Sequence, residues 1–354
     1  MSRFLSSKHK DLVPYTPGEQ PCERRYIKLN TNESPFPPSP RAIEAAARAA
    51  EGLQLYSDPN ATALTKKMAE RYGISPDQVI LTNGSDEVLD FAFLAFCDSE
   101  HPAVFPDITY GFYKVFAALY NIPYETIPLA EDFSVRVSDY CGIGKTIFIA
   151  NPNAPTGMLL SLAEIEEILK SNPDNVVVID EAYIDFGGES CISLVDRYDN
   201  LLVTGTFSKS RSMAGARLGF GIGSQALIAD LHALRYSTNP YNVNSMTLAA
   251  GLATLEDEEH TKKNCQTVCE NREFLSKQLG ALGFEMTDSY ANFIFARHPR
   301  IGGKELYLKL REAGILVRHF DAPRISQYNR ITIGAHEDMQ ALVDAARRIL
   351  EELS

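Results

Sequence analysis

Short apolar runs alternate with longer amphipathic stretches over the first two thirds of the chain. The runs include "QVILT", "AVFP", "TIFIA", "NVVVID" and "NLLVTGTF", which are rich in the β-branched and aromatic residues that favour strands. Between them lie stretches with helical spacing, such as "YGFYKVFAALY" and "LAEIEEILKS". Apolar strands that alternate with helices indicate a mostly parallel sheet covered by helices on both faces.

The two ends of the chain follow different patterns. Residues 30–40 read "NTNESPFPPSP", and their four prolines predict an extended, irregular segment before an alanine-rich helix that starts after Pro40. Beyond about residue 245, long helices precede the short strands "ANFIFAR", "GILVRHF" and "NRITIGA". The pattern predicts an N-terminal arm over residues 1–40, a large α/β domain over 41–245 and a smaller α+β domain over 246–354.

Composition excludes several classes of protein. No run of about 18 apolar residues is present, so we expect no membrane span. The net charge of 34 − 46 = −12 disfavours a nucleic-acid-binding face. The start, "MSRFLSSKHKDLVPY", lacks the apolar region of a signal peptide, and we expect a cytoplasmic protein. The six cysteines have neither a pairing pattern nor zinc-like spacing, so we expect free thiols and no metal.

Distinctive polar residues follow four of the predicted strands, within residues 83–86, 151–157, 180–183 and 206–209. In open α/β sheets, ligands bind at the carboxyl ends of the strands and at the helix N-termini that follow them. These four groups are therefore predicted to converge on one site.

A lysine lies in an unusual setting in "TGTFSKSRSMAGARLGF", residues 204–220. Lys209 has the hydroxyls of Thr206 and Ser208 before it and Arg217 eight positions later. A lysine forms a Schiff base only when it is unprotonated for part of the time, and cationic neighbours and burial favour that state. Arg217 can also bind a phosphate in bidentate fashion. The alternative is a surface lysine in a loop.

Asp180 ends the apolar run of "VVVIDEAYIDF". A carboxylate at the end of a buried strand can hold a proton on a heteroaromatic nitrogen, and Tyr183 is close enough in sequence to contact the same ligand. The alternative is a helix N-cap or a paired carboxylate.

The stretch "TNGSDE" places Gly84, Ser85 and Asp86 at a helix start, where free N–H groups favour a phosphate. Ordinary capping by Asn83 or Ser85 is an equal alternative. The stretch "LGFGIGSQ" lacks the spacing of a dinucleotide-binding fingerprint. A phosphate seat, a partner for a ring nitrogen and an amine for a carbonyl together describe a site for pyridoxal phosphate.

The motifs "NAPTG", "DEAY" and "SKS…AGARLGF" resemble those of fold-type I aminotransferases. More closely, the chain resembles the histidinol-phosphate aminotransferase family through "PYTPGEQ", "LNTNESPFPPSP", "YSDP", "NGSDE", "DEAYIDF", "TFSKSRSMAGARLGF", "PYNVNS" and "NRITIG". The resemblance runs from about residue 12 to 335, and "PYTPGEQ" and "PYNVNS" are its most discriminating pieces. It implies an α/β fold in which a large, mostly parallel sheet is sandwiched by helices beside a smaller α+β domain.

The resemblance also implies roles for residues. Lys209 would form the Schiff base and move a proton between the substrate's α-carbon and the cofactor. Asp180 would keep the pyridine nitrogen protonated, Tyr183 would bond the ring hydroxyl, and Tyr110 would stack on the ring. Tyr56 would reach the neighbouring subunit's phosphate in a homodimer. The residues expected to hold the phosphate or its helix are Gly84, Ser85, Asp86, Thr206, Ser208 and Arg217.

Two positions depart from the family pattern. The family has asparagine immediately before "PTG", where this chain has Ala154, with Asn153 one place earlier. Either Asn153 reaches the ring or Tyr183 makes that contact alone. "YSDP" also replaces the commoner Tyr-Pro-Asp-Pro.

Substrate recognition is expected at Arg330, Arg318 and Tyr15, with Asn32 and Glu33 at the border of the pocket. One arginine pair can bind either the carboxylates of glutamate or the phosphate of histidinol phosphate. From the residues alone, surface salt bridges are the alternative for both arginines.

The implied reaction is pyridoxal-phosphate-dependent transamination between L-histidinol phosphate and 2-oxoglutarate, which gives imidazole acetol phosphate and L-glutamate in histidine biosynthesis. Aromatic-amino-acid aminotransferases and decarboxylases of phosphorylated amino acids are alternatives with similar motifs. A regulator with a non-catalytic aminotransferase-like module is disfavoured, because the acidic chain leaves no room for a DNA-binding segment before residue 12 or after residue 335.

Overall fold

The computed structural model describes residues 2–353 of the chain. The strands are β1 (Ile27–Lys28), β2 (Val79–Thr82), β3 (Ala103–Pro106), β4 (Tyr124–Ile127), β5 (Thr146–Ala150), β6 (Val177–Asp180), β7 (Leu201–Thr206), β8 (Gly219–Gly223), β9 (Glu285–Met286), β10 (Phe293–Arg297), β11 (Ile315–Leu316), β12 (Arg318–His319) and β13 (Asn329–Thr332). The α-helices are α1 (Pro40–Ala49), α2 (Thr62–Tyr72), α3 (Ser85–Phe96), α4 (Phe112–Tyr120), α5 (Leu162–Ser171), α6 (Gln225–Thr238), α7 (Ser245–Leu255), α8 (Glu258–Ala281), α9 (Gly303–Glu312) and α10 (His336–Glu351).

The central sheet has seven strands in the order β2-β8-β7-β6-β5-β3-β4. Strand β8 runs antiparallel to both of its neighbours, and the other pairings are parallel. Successive residues of a strand face opposite sides of the sheet, so Ile147 packs with α2, α5 and α7 while Phe148 packs with α3, α4 and α6. The predicted mostly parallel sheet with helices on both faces is therefore confirmed.

The smaller unit is a four-stranded antiparallel sheet, β12-β13-β10-β9, packed with α8, α9 and α10. Its core also contains Leu29 from the N-terminal region, because β1 pairs in parallel with β11. The structure thus joins residues 27–29 to a unit built mainly from the other end of the chain.

Helix α7 begins at the predicted domain boundary. Its residues Ala250 and Leu255 belong to the core beneath the large sheet rather than to the core of the smaller unit. We therefore propose that the smaller domain begins at α8 rather than at residue 246.

A glycine lets the start of α3 approach β8 closely. A Cβ atom on Gly219 would lie 2.2 Å from the backbone nitrogen of Ser85, which a side chain does not permit. Gly219 therefore serves helix–strand packing, and this packing helps to fix where the first turn of α3 meets the site. No helix within residues 2–353 is both long enough and apolar enough to cross a membrane.

Candidate active site

The carboxyl ends of β5, β6 and β7 and the first turn of α3 surround a cavity of about 310 Å³. The sequence-predicted residues that line it are Glu33, Ser85, Asp86, Tyr110, Asp180, Tyr183, Thr206, Ser208, Lys209 and Arg217. Residues from four separate strand ends and from the N-terminal region thus meet in one place. We call this space the first cavity.

Lys209 lies in the loop after β7 and points its amine into the first cavity. Its Nζ donates to the backbone oxygen of Thr31 at 3.5 Å and lies 5.8 Å from the ring centroid of Tyr183. No carboxylate within residues 2–353 lies within 4 Å of this nitrogen in an ion pair. The amine is thus held at the cavity without being neutralised by a fixed acidic partner.

Asp180 ends β6 with a side chain that is nearly enclosed, at 5 % exposure of the residue. Its Oδ1 accepts from the backbone N–H of Ala182 at 3.2 Å, and its Oδ2 accepts from the hydroxyl of Tyr113 at 3.3 Å. Burial, followed by the negative charge of Asp86, raises the pKa of Asp180 to about 7. A buried carboxyl of this kind fits a cationic hydrogen-bond partner such as a protonated ring nitrogen.

Tyr183 lies beside Asp180 on the wall shared with the smaller unit. Its hydroxyl accepts from Nδ2 of Asn32 at 2.9 Å, and its ring packs edge-on against Phe293 with centroids 5.1 Å apart. Because Asn32 donates to the oxygen of this hydroxyl, the hydroxyl hydrogen of Tyr183 can still be donated to a ligand in the cavity.

The predicted phosphate seat is a connected network at the N-terminus of α3. Oδ1 of Asp86 accepts from the hydroxyl of Tyr110 at 2.7 Å, and Oδ2 lies 3.3 Å from Nη2 of Arg217. Arg217 also donates to Ser208 at 3.4 Å, and the hydroxyls of Ser208 and Thr206 are 3.0 Å apart. Hydroxyls, a guanidinium and a helix N-terminus are the donors that a phosphate requires.

The seat depends on a second glycine. A Cβ atom on Gly84 would lie 2.5 Å from Nη2 of Arg217, and the residue has a φ of 81°, which L side chains rarely adopt. Any side chain here would displace the guanidinium. The donor set and the space kept open at Gly84 together fit a phosphate group.

A second cavity of about 400 Å³ adjoins the first and shares Lys209, Tyr110 and Tyr183 with it. The predicted substrate residues Tyr15, Asn32, Arg318 and Arg330 line it, together with Thr31, Ala154 and Phe320. The structure therefore places the predicted cofactor residues and most of the predicted substrate residues in two communicating spaces, with Lys209 between them.

The two arginines of the second cavity lie opposite each other, because Arg318 of β12 is in register with Arg330 of β13. Arg330 donates to the backbone oxygen of Asn30 at 3.1 Å, and Arg318 donates to that of Thr16 at 3.2 Å. Within residues 2–353, no ion pair joins either guanidinium to a carboxylate, and Nε of Arg330 is buried without a hydrogen-bond partner. Burial lowers the pKa of Arg330. Two partly desolvated cations without acidic partners indicate an anion site.

Glu33 is placed differently from the sequence expectation, since it lines the first cavity rather than the second. Its Oε2 accepts from Lys28 at 2.6 Å and from the hydroxyl of Thr31 at 3.0 Å. Burial opposes ionisation, but these bonds and the charge of Lys28 outweigh it and lower the pKa of Glu33. Glu33 is therefore an ionised, paired carboxylate.

Asn153 is buried between its own loop and the loop that follows β3, and it does not line either cavity. Its amide accepts from Thr109 at 2.8 Å and donates to the backbone oxygen of Ile108 and the hydroxyl of Thr156, both at 3.0 Å. The next residue, Ala154, lines both cavities instead. Of Asn153 and Tyr183, only Tyr183 lines the first cavity, and its contact with a cofactor ring stays a prediction.

Tyr56 lies outside both cavities of this chain. It is 83 % exposed, and its ring stacks on Tyr241 with centroids 4.5 Å apart. Its predicted contact with a neighbouring subunit stays a prediction.

Not predicted from the sequence were Phe320, which lines the second cavity, and two residues that hydrogen-bond the predicted catalytic side chains. Thr31 contacts Lys209 through its backbone, which no side-chain pattern reveals. Tyr113 lies among apolar residues of α4 and donates to Asp180. A tyrosine on the buried face of a helix, three residues after Tyr110, was the only available signal.

Comparison with known proteins identifies the family. The model of "Aminotransferase class I and II" matches residues 24–349. Histidinol-phosphate aminotransferase 2 of Dechloromonas aromatica is 52 % identical over 99 % of both chains. Histidinol-phosphate aminotransferase 1 of Pseudomonas aeruginosa is 51 % identical over 98 % of this chain and 99 % of the relative.

Solved structures show the same fold. Histidinol-phosphate aminotransferase from Sinorhizobium meliloti, in complex with pyridoxal-5'-phosphate, superposes with a TM-score of 0.87 at 21 % identity, covering 94 % of this chain and 93 % of that one. L-threonine-O-3-phosphate decarboxylase from Porphyromonas gingivalis superposes with a TM-score of 0.81 at 22 % identity, covering 92 % and 99 %. The chain belongs to the class I and II aminotransferases, and the predicted family is confirmed.

Proposed function

We propose that this aminotransferase uses pyridoxal phosphate to exchange an amino group between L-histidinol phosphate and 2-oxoglutarate, a step of histidine biosynthesis. The observation that carries the proposal is the position of the Lys209 amine, between a cavity with a phosphate seat and a cavity with two unpaired guanidiniums. Histidinol-phosphate aminotransferases that are 51–52 % identical over nearly the whole chain support the substrate.

The first cavity suits the cofactor by its donor set. Ser85, Thr206, Ser208 and Arg217 would hold the phosphate, with Asp86 fixing Arg217 and Tyr110 in place. When bound, pyridoxal phosphate supplies an aldehyde for the amine and a protonated ring that stabilises negative charge at the substrate's α-carbon.

Three residues of this chain would take part directly in the reaction, namely Lys209, Asp180 and Tyr183. Lys209 would supply the amine that holds the cofactor and would move the proton at the substrate's α-carbon. Asp180 would hold the proton on the ring nitrogen. Tyr183, whose hydroxyl oxygen accepts from Asn32, would donate its hydroxyl hydrogen to the ring oxygen. The Lys209 amine lies where both cavities meet, so it can reach a group bound in either space.

The second cavity explains how one site could accept two unlike substrates. Arg318 and Arg330 are held by backbone oxygens alone, so their charge is free for an incoming anion. A guanidinium binds a phosphate or a carboxylate in the same bidentate geometry. Tyr15 and Phe320, on the same wall, offer aromatic surface for the imidazole ring.

The decisive experiment adds L-histidinol phosphate, L-phenylalanine or O-phospho-L-threonine to the purified, cofactor-loaded protein and follows the cofactor's absorbance. We expect rapid conversion to the amine form of the cofactor with histidinol phosphate, restoration by 2-oxoglutarate and no carbon dioxide release. Faster conversion with phenylalanine would favour an aromatic-amino-acid aminotransferase. Release of carbon dioxide from the phosphorylated amino acid would favour a decarboxylase.

The active unit is proposed to be a homodimer in which Tyr56 reaches the partner's phosphate seat. Tyr56 and Leu55 are 83 % and 70 % exposed, and such apolar surface is typical of an interface. A mixture of inactive Lys209→Ala and Tyr56→Ala chains tests this, because a mixed dimer contains one site with both native residues. Activity above that of either variant alone is expected, and its absence after subunit exchange would contradict a shared site.

The cytoplasm is the proposed location, since both substrates are small charged metabolites and no helix of the described residues can span a membrane. Fractionation of cells that express the chain should recover it with cytoplasmic markers. Recovery with membranes or the medium would contradict this.

A further inference from the structure

Tyr113 carries a hydroxyl into the core of the large domain. The residue is fully buried, and its ring packs 5.6 Å from Phe105 and 5.7 Å from Phe148, centroid to centroid. A phenylalanine would fill the same space without bringing a polar group out of water. Because a buried hydroxyl is unfavourable unless it is hydrogen-bonded, the partner of this hydroxyl is informative.

That partner is Oδ2 of Asp180, 3.3 Å away. The other oxygen of Asp180 is held by a backbone N–H of its own turn, so Tyr113 provides the only side-chain hydrogen bond to this carboxylate within residues 2–353. The bond runs from α4 on one face of the sheet to the end of β6, and it restricts rotation of the carboxylate about its last torsion.

The same ring supports a second residue of the site. Tyr113 meets Tyr110 edge-on, with centroids 5.8 Å apart and planes at 88°. Tyr110 lines the first cavity, and its hydroxyl is bound to Asp86. Tyr113 lies behind both Asp180 and Tyr110, and it does not itself line either cavity.

The charges around Asp180 show what the hydroxyl does. Burial and the charge of Asp86 disfavour the carboxylate, whereas Tyr113, the N–H of Ala182 and Lys209 favour it. Burial, and next the charge of Asp180, raise the pKa of Tyr113 well above its usual value. Tyr113 therefore keeps its proton and acts as a donor to the ionised form of Asp180.

We propose that Tyr113 is a positioning residue that holds the Asp180 carboxylate and aims it at the cofactor's ring nitrogen without touching the cofactor itself. The inference rests on the proposed function, because this duty of Asp180 requires a bound pyridine ring. It adds a residue outside both cavities to the machinery of the reaction.

Tyr113→Phe tests the inference, and Tyr140→Phe is its matched control. Tyr140 is equally buried in the same domain, but its hydroxyl has no hydrogen-bond partner among the described residues. We expect Tyr113→Phe to lower kcat about 10-fold, with KM for both substrates within about two-fold of the wild type. The control should leave both constants unchanged.

A second readout separates positioning from packing. Removal of the donor makes Asp180 easier to protonate, so the acid side of the pH profile for pyridoxal phosphate binding to the apoenzyme should move to higher pH. Titration of the apoenzyme with pyridoxal phosphate between pH 5 and 9 measures this directly. The same profile in Tyr113→Phe and Tyr140→Phe would overturn the inference, even if both variants were less active.

A double variant completes the design. In an Asp180→Asn background, Tyr113→Phe should change cofactor affinity by less than about two-fold, because the carboxylate on which it acts is gone. A full additional loss would also overturn the inference. Failure of the proposed function would be distinguishable from failure of this inference. The wild-type protein itself would then not bind pyridoxal phosphate or would not transaminate, whatever the variants do.

Discussion

The two cavities differ in how their charges are balanced. In the first, Arg217 is paired with Asp86 and Glu33 with Lys28. In the second, Arg318 and Arg330 contact only backbone oxygens and aromatic rings among the described residues. The arginine of the phosphate seat is thus paired within the protein, while the two arginines of the second cavity are left with unpaired positive charge.

This difference matches the residence times expected of the two ligands. A seat whose side chains already hold one another is preorganised, so it can retain a cofactor through many reaction cycles. Unpaired guanidiniums attract whichever anion arrives and release it when the reaction is complete. Lys209 stands where the two environments meet, and each variant below perturbs one side of that boundary.

The largest loss of activity is expected from substitution of Lys209, where the two cavities meet. Lys209→Ala should lower transamination by roughly 10⁴-fold, since no other side chain supplies both the attachment point and the proton transfer. Borohydride reduction followed by peptide mass spectrometry should find cofactor at position 209 in the wild type and none in the variant. Lys170→Ala, a surface substitution on α5, is the control and should behave as wild type. Retained turnover in Lys209→Ala would refute the assigned role.

The second largest loss of activity is expected from Arg330 in the second cavity, and it should leave the first cavity unaffected. Arg330→Met removes a charged hydrogen-bonding group, so kcat/KM should fall about 10²-fold for both histidinol phosphate and glutamate, while cofactor affinity stays unchanged. Arg297→Met is a matched control on neighbouring β10, where the arginine is already paired with Glu285. A loss confined to one substrate would break the idea of a shared anion site.

A smaller loss, of cofactor affinity alone, is expected from Arg217 in the first cavity. Arg217→Met should weaken pyridoxal phosphate binding about 10-fold, because Ser85, Thr206, Ser208 and the helix N-terminus remain as donors. Equilibrium dialysis of the apoenzyme measures this. Substrate KM at saturating cofactor should hardly change, and an equal rise in KM would show that the two cavities are not independent.

The smallest effect concerns stability. Glu181 follows Asp180 but points into the core, where its carboxylate accepts from the N–H of Cys191 at 2.7 Å and burial raises its pKa to about 7. The folded state therefore binds this proton more tightly than the unfolded state, so stability falls as pH rises from about 4.5 to 7 and levels off above.

Glu181→Gln should remove this fall in stability with rising pH. In urea unfolding of the apoenzyme, the variant should gain roughly 2 to 3 kcal/mol on the wild type between pH 5 and pH 8, without loss of cofactor affinity. Parallel stability curves would contradict the assignment. Weakened cofactor binding would show that this carboxyl acts on the first cavity after all.

Local pattern was enough to predict the strands of the large sheet and the motifs at their ends. Lys209 and Asp180 were recognisable because each lies at or just after the end of an apolar strand, and Arg217 because it lies in the same family-like stretch as Lys209. Thr31 acts through its backbone, and Tyr113 looks like one more aromatic core residue, so neither differs from its neighbours in sequence. The residue type of Asn153 suggested a contact with the cofactor ring, whereas its amide bonds Thr109 and Ile108 in the loop that follows β3.

The boundary of the smaller domain depended on long-range packing. Helix α7 is apolar enough to join either core, and only the folded arrangement assigns it to the large sheet. The pairing of β1 with β11 joins segments almost 290 positions apart, which no window of sequence reveals.

That pairing also bears on synthesis at the ribosome. Residues 27–32 include Thr31 at the edge of both cavities and Asn32 at the edge of the second, and they are translated long before β11 and β13, with which they pair. Until those strands are made, the partner surfaces of this segment do not exist. Pyridoxal phosphate can therefore meet a complete site only after β13 has been translated, and a nascent chain stalled before β13 should be unable to retain it.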